Sequence, residues 1–91
     1  FVGTDQFTWT GGEDHVTVYA HAEARFFGNA FCRTCGSSVP RARPDGSAYN
    51  IPAGSLDQAP GVEAKGHICV GSKAPWFEVT GDKPQWDAMP R

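Results

Sequence analysis

Hydrophobic and polar side chains alternate along several short stretches of this sequence, with the period of two that is typical of β-strands. The clearest stretch covers residues 15–21, where Val16 and Val18 share one face and Thr17 and Tyr19 share the other. Valine, threonine and tyrosine all favour a pleated, half-buried surface. We therefore predict a strand over residues 15–21.

Four shorter stretches show a weaker form of the same alternation and are also predicted to be extended. They cover residues 7–10, 49–51, 67–70 and 77–79. The first of them ends at the pair Gly11 and Gly12, which suits a hairpin turn because glycine accepts positive φ angles. The second is bounded by Pro52, which cannot donate a backbone hydrogen bond to a neighbouring strand.

Glycine and proline content indicates the fold class. The 91 residues include 11 Gly and 7 Pro, scattered along the chain without a repeat. Such spacing favours many short elements joined by tight turns, and so a mainly β fold with antiparallel strands rather than a helical bundle. A chain of this length supports one hydrophobic core, and we expect residues 1–91 to form a single domain.

Charge and hydropathy exclude two classes of partner. The formal net charge of -2 does not suit a nucleic-acid binder, whose affinity depends on Lys and Arg neutralising phosphates. The sequence contains neither a run of eighteen apolar residues nor the pattern of a secretory signal at its start. We therefore expect no nucleic-acid partner, no membrane partner and a cytoplasmic location.

Four of the eight basic residues lie close to the first two cysteines. They are Arg25, Arg33, Arg41 and Arg43. This local positive charge is open to two interpretations, a site for a small anionic ligand or a solvated face without a ligand.

The segment with the clearest chemistry is Cys32-Arg33-Thr34-Cys35-Gly36. Two thiolates three residues apart can occupy one edge of a tetrahedral zinc site, and the glycine after them permits a sharp turn. A closed structural site needs four ligands, so the pair is half a site. A redox pair and a plain or oxidised thiol pair stay open as alternatives, although a thioredoxin-type motif requires a βαβ pattern that is not evident here.

The other candidate ligands carry weaker signals. Cys69 lies within an apolar alternation, where a free cysteine usually packs as a small hydrophobe. The histidines at positions 15, 21 and 67 have no second ligand at the spacing of a metal motif. The sequence therefore predicts Cys32 and Cys35 as metal ligands and leaves catalytic residues unassigned.

Three ordered segments resemble the second half of the glutathione-dependent formaldehyde-activating enzyme family, which includes centromere protein V. The segments are FCRTCGS at residues 31–37, AGSLD at 53–57 and HICVGSKAPW at 67–76. The similarity extends more loosely over residues 1–90.

The resemblance implies a fold and a metal arrangement. The fold is the small β-tent, with a structural zinc held by two cysteines near the family's N-terminus and two from the segment that matches Cys32 and Cys35. The family's catalytic zinc is held by a separate upstream cysteine cluster. Neither upstream cluster occurs in these 91 residues, so we expect an N-terminally truncated, C-terminal portion of such a zinc domain.

The resemblance also implies a reaction, the condensation of formaldehyde with glutathione by a carbon-sulfur lyase of the S-(hydroxymethyl)glutathione synthase type. We expect a small thiol such as glutathione as ligand, and no turnover by this chain alone, because the catalytic zinc cysteines are absent. The alternative is a non-enzymatic binding or structural module that retains the β scaffold. Strands left without their upstream neighbours would expose edges and apolar faces, and we expect a homodimer or larger homo-oligomer.

Overall fold

Antiparallel strands form two small sheets in the computed structural model, which describes residues 1–24 and 28–90. The chain divides into two compact units, Phe1–Gln58 and a second that runs from Ala59 to the chain end. All the named strands of the described residues lie in the first unit. The only helices among the described residues of both units are short 3-10 turns, at Thr4–Gln6, Glu13–His15, Ala53–Ser55 and Val70–Ser72. The predicted mainly β class is confirmed at this level, while the single domain stays a prediction.

A hairpin of two five-residue strands carries the cysteine segment. Strand β2, Val16–Ala20, pairs antiparallel with β3, Gly28–Cys32, in a register that sets Val16 opposite Cys32. The strand predicted over residues 15–21 is confirmed. Its register places the end of β3, where the cysteine turn begins, beside the start of β2.

A second sheet has three very short strands in the order β1, β5, β4. Strand β1 is Val2–Gly3, β4 is Arg41–Ala42 and β5 is Ala48–Asn50. The central strand β5 overlaps the extended stretch predicted over residues 49–51, but it begins and ends one residue earlier. Between β4 and β5, Gly46 adopts a φ of 74°, a left-handed conformation that glycine takes without strain.

Residues 7–10 do not form the strand that their alternation predicts. Instead, the Phe7 ring stacks on the Tyr49 ring with centroids 4.1 Å apart, and Trp9 meets Phe7 edge to face at 5.1 Å. The alternation therefore serves side-chain packing rather than strand pairing. Phe7 thus packs on the central strand β5 through Tyr49, and Trp9 packs on Phe7.

The described residues bury very few hydrophobic side chains. Ala30 on β3, with 2% of its surface exposed, is the one buried hydrophobic residue in the described part of the chain. The cluster of Phe7, Trp9 and Tyr49 is only half-buried. Packing among these rings is consequently the main apolar contribution to the first unit.

Backbone hydrogen bonds tie the second unit together. Residues 67–71 approach residues 84–88, with His67 N donating to Pro84 O at 2.9 Å and Trp86 N donating to His67 O at 2.9 Å. The pairing is a single parallel bridge between His67 and Gln85, so the strand predicted over residues 67–70 is not formed. Cys69 has a φ of 58°, a left-handed conformation that ends extended structure. Residues 77–79 also lack strand structure.

No helix in residues 1–24 and 28–90 has the length and apolar character needed to cross a membrane.

Replacing Tyr49 by alanine tests the importance of the aromatic cluster. Tyr49→Ala removes the stack on Phe7 and leaves a cavity, and we expect it to lower the free energy of unfolding by about 2 to 3 kcal/mol. Tyr19→Ala is the matched control, because Tyr19 is 52% exposed and its loss should cost less than about 1 kcal/mol. Urea unfolding followed by circular dichroism measures both. Equal losses in the two variants would contradict this account of the core.

Candidate metal-binding turn

The two cysteines of the metal prediction lie in a tight turn at the end of strand β3. Gly36 N donates to Cys32 O at 2.7 Å, and Cys32 N donates to Ser37 O at 2.9 Å. Gly36 has a φ of 78°, which only glycine adopts at low cost. Phe31 and Ser38 then face each other across an antiparallel bridge. The backbone therefore reverses direction around the pair, as the glycine after the second cysteine predicts.

His15, the last residue of the 3-10 turn before strand β2, holds the cysteine turn from the side. Arg33 N donates to His15 O at 2.9 Å, and His15 Nδ1 shares a hydrogen bond with Thr34 Oγ1 at 3.0 Å. Thr34 lies between the two cysteines in sequence, so His15 fixes the middle of the turn. Sequence reasoning considered His15 only as a ligand and missed this supporting role. The contact joins residues 19 positions apart, which no local motif could indicate.

The thiols of Cys32 and Cys35 lie close enough to interact. The Cys35 sulfur is 3.4 Å from Ser37 Oγ. The pKa of Cys35 is lowered from its ordinary value by hydrogen bonds from the Ser37 hydroxyl, then from the Ser37 backbone N–H, and then from the side chain of Cys32. The structure thus brings both sulfurs into one small volume, with Cys35 exposed and Cys32 partly exposed.

The residues that are present meet half of the requirement for a structural zinc site. Such a site takes four ligands, here most naturally four thiolates. No group of three or more His, Cys, Asp or Glu side chains that could hold a metal occurs within the described ranges. His15 is engaged by Thr34, and the third cysteine, Cys69, belongs to the second unit. Cys32 and Cys35 can therefore supply two ligands, and metal binding by them stays a prediction.

Cys69 itself differs from its predicted setting. It was expected to pack as a small hydrophobe in a strand, but it is exposed and has a positive φ angle. The reason is local, since its backbone N–H donates to Ala88 O at 3.1 Å and a 3-10 turn starts immediately after it.

The arginines near the cysteines do not share one environment. Arg25 lies outside the described residues. Arg33 is exposed within the turn, and the Arg43 guanidinium lies over the Phe1 ring at 5.6 Å. Arg41 lines a shallow cavity of about 280 Å³ together with Asn29, Ser38 and Asn50. Among the described residues, the expectation of an anionic ligand therefore finds an open cavity of mixed lining beside Arg41, and the other two arginines do not line it.

Ser37→Ala tests the cause of the lowered pKa of Cys35 in the metal-free chain. A thiolate that loses its best hydrogen-bond donor is destabilised, so the pKa of Cys35 should rise. Because alkylation requires the thiolate, the curve of Cys35 alkylation rate against pH should move to higher pH. Ser38→Ala is the control and should leave the curve in place. Peptide mass spectrometry after iodoacetamide treatment separates Cys35 from the other two cysteines, and an unshifted Ser37→Ala curve would contradict the assignment.

Comparison with known proteins adds one result to this geometry. Residues 1–72 match the family model described as glutathione-dependent formaldehyde-activating enzyme. The match includes the whole first unit and the turn with Cys32 and Cys35. No curated protein and no solved structure matches the chain.

Proposed function

Because the chain belongs to the glutathione-dependent formaldehyde-activating enzyme family, we propose that it is the C-terminal, scaffold-forming part of a zinc-dependent carbon-sulfur lyase domain. In this proposal Cys32 and Cys35 are structural zinc ligands and take no part in the reaction. A bound structural zinc would supply a cross-link that stabilises the fold. The observation that carries the proposal is the tight, hydrogen-bonded turn that holds both cysteines inside the matched region.

A structural role fits the surroundings of the thiols better than a catalytic role. Both cysteines belong to a turn whose backbone is closed by two hydrogen bonds and braced by His15. A catalytic zinc site needs three protein ligands and an open position for water or substrate. The turn offers two ligands, and the described residues place no third one beside them. Residues 1–91 alone should therefore not condense formaldehyde with glutathione.

The proposal extends to a substrate class and a location, which the family membership supports. We propose a small thiol of the glutathione type as the ligand of the complete domain. We also propose a cytoplasmic location, because two cysteines three residues apart act more often as a metal pair in a reducing compartment.

A non-enzymatic binding or structural module is the second candidate. It is favoured by the number of large hydrophobic side chains on the surface of the described residues. Ten are more than a third exposed, and four of these are Phe1 at 79%, Trp76 at 85%, Val62 at 74% and Val18 at 61%. Exposed apolar groups of this size are typical of surfaces that meet another macromolecule.

Metal stabilisation tests the structural role. With zinc in excess at about 100 times its dissociation constant, the folded chain should gain about 2.7 kcal/mol, and a chelator should remove the gain. The variant Cys32→Ser/Cys35→Ser should show no gain, whereas Cys69→Ser should respond like the unmodified chain. Thermal unfolding with and without zinc, in a phosphine reductant, measures this. No shift in the unmodified chain would remove the zinc site from the proposal.

Catalysis by the 91-residue chain is tested separately. We expect the zinc-loaded chain to leave the rate of adduct formation between formaldehyde and glutathione at its spontaneous value. Exchange between free and thiol-bound formaldehyde, followed by nuclear magnetic resonance, measures that rate. An acceleration that disappears in Cys32→Ser/Cys35→Ser would assign a catalytic function to the turn and refute its purely structural role.

A further inference from the structure

We propose that the cavity beside Arg41 binds a small carboxylic acid that also carries a neutral polar group, and that the Arg41 guanidinium holds its carboxylate. This cavity, of about 280 Å³, is lined by residues of the first unit. Its lining residues lie outside the cysteine turn, so the proposal is independent of metal binding by Cys32 and Cys35.

Backbone pairing brings the lining residues together from separate parts of the first unit. Val39 N donates to Ala30 O at 3.0 Å, so the chain that leaves the cysteine turn runs back along β3. Arg41 of β4 then lies directly opposite Asn50 of β5. The cavity is therefore formed where residues of β3 meet residues of β4 and β5.

Gly28 at the start of β3 allows the arginine to pack closely. A Cβ atom at position 28 would lie 2.6 Å from Arg41 Nη2 and 2.8 Å from Arg41 Cζ. The guanidinium therefore packs directly against the backbone of β3, where only glycine leaves room for it. Arg41 is half-buried, and a charge that is partly withdrawn from water attracts an opposite charge more strongly than an exposed one does.

The chemistry of the guanidinium suits this role. It carries five N–H donors, so it can hold a ligand while it keeps contacts with neighbouring protein groups. Its planar fork can donate to both oxygens of one carboxylate, which makes the pairing directional as well as charged.

Charge favours a carboxylate over a phosphate as the bound group. The described lining of the cavity holds one cationic side chain and no acidic one. One guanidinium matches the single negative charge of a carboxylate. Phosphate carries up to two negative charges and is usually held by several cations or by a series of backbone N–H groups.

Polar side chains beside the arginine suit a neutral polar group on the same ligand. Asn29, Ser38 and Asn50 line the cavity and are exposed. A carboxamide offers both donors and an acceptor, and a hydroxyl can donate and accept. These side chains can therefore bind an amide or a hydroxyl group, each of which both donates and accepts.

Volume and apolar lining indicate a short ligand. The cavity has the volume of about nine molecules of liquid water. The buried Ala30, together with Val39 and Pro52, offers apolar contact to a short carbon chain. Succinamate, which has a carboxylate at one end and an amide at the other, combines the groups that this lining can bind.

The test is a titration of the isotope-labelled 91-residue chain with succinamate, followed by nuclear magnetic resonance. A chelator and a phosphine reductant keep metal and disulfide chemistry out of the measurement. We expect saturable shifts of the side-chain N–H signals of Arg41, Asn29 and Asn50, with a dissociation constant of about 1 mM or less. Succinamide, the neutral analogue, should bind at least about tenfold more weakly because it lacks the charge.

Variants separate recognition by Arg41 from a general effect of charge. Arg41→Gln should weaken succinamate binding by at least about tenfold. Asn50→Asp should do the same, because its carboxylate would face Arg41 across the strand pair and repel the ligand. Arg43→Gln is the matched control. It removes the same charge from a side chain that lies over the Phe1 ring, and it should change binding by less than about twofold.

Four results would overturn the assignment. Absence of saturable shifts up to about 20 mM succinamate would leave a solvated cavity without this ligand. Equal binding of succinamide would show that the charge is not recognised, and equal losses in Arg41→Gln and Arg43→Gln would show that the effect is not local. Tighter binding of inorganic phosphate than of succinamate would refute the carboxylate. Circular dichroism checks that each variant keeps the fold, and Asn50→Asp still decides the matter if Arg41→Gln does not fold.

Discussion

The hydrogen bonds that close the turn from Cys32 to Ser37 are the constraint on which the candidate site depends. They hold the backbone in a reversal at the end of β3, and Gly36 supplies the left-handed conformation that the reversal needs. The bond from Arg33 N to His15 O then attaches the turn to the residue that precedes strand β2. Without these contacts the backbone would not reverse between the two cysteines, and their side chains would not be held at one turn.

Because few side chains are buried, the hydrogen-bonded cysteine turn matters more for the stability of the fold. A fold with a single buried hydrophobic residue among those described has little apolar packing with which to hold its loops. Its stability depends on a few ring contacts around Tyr49 and on short backbone pairings. In a small domain of this kind, a metal or a partner chain contributes a large share of the folding free energy. The structural role proposed for the thiols suits that physical situation.

The second unit shows the same reliance on backbone pairing. Residues 67–71 and 84–88 meet through hydrogen bonds rather than through a regular sheet. Gly66 permits this, because a side chain there would lie 2.5 Å from the Trp86 ring and 2.8 Å from Pro84 O. The glycine therefore serves close approach of two segments, which is a packing function and not a chemical one.

Local spacing determined what the sequence by itself could establish. The period of two in residues 15–21 identified β2, and the three-residue spacing of Cys32 and Cys35 before Gly36 identified the turn, because both features depend on neighbours along the chain. Only the tertiary structure decided that Phe7 and Trp9 pack as rings against Tyr49 instead of pairing as a strand. It also decided that His15 braces Thr34 and that Cys69 is exposed. These outcomes depend on residues distant in sequence, whose contacts are set by packing and backbone pairing and leave no periodic signal in the chain.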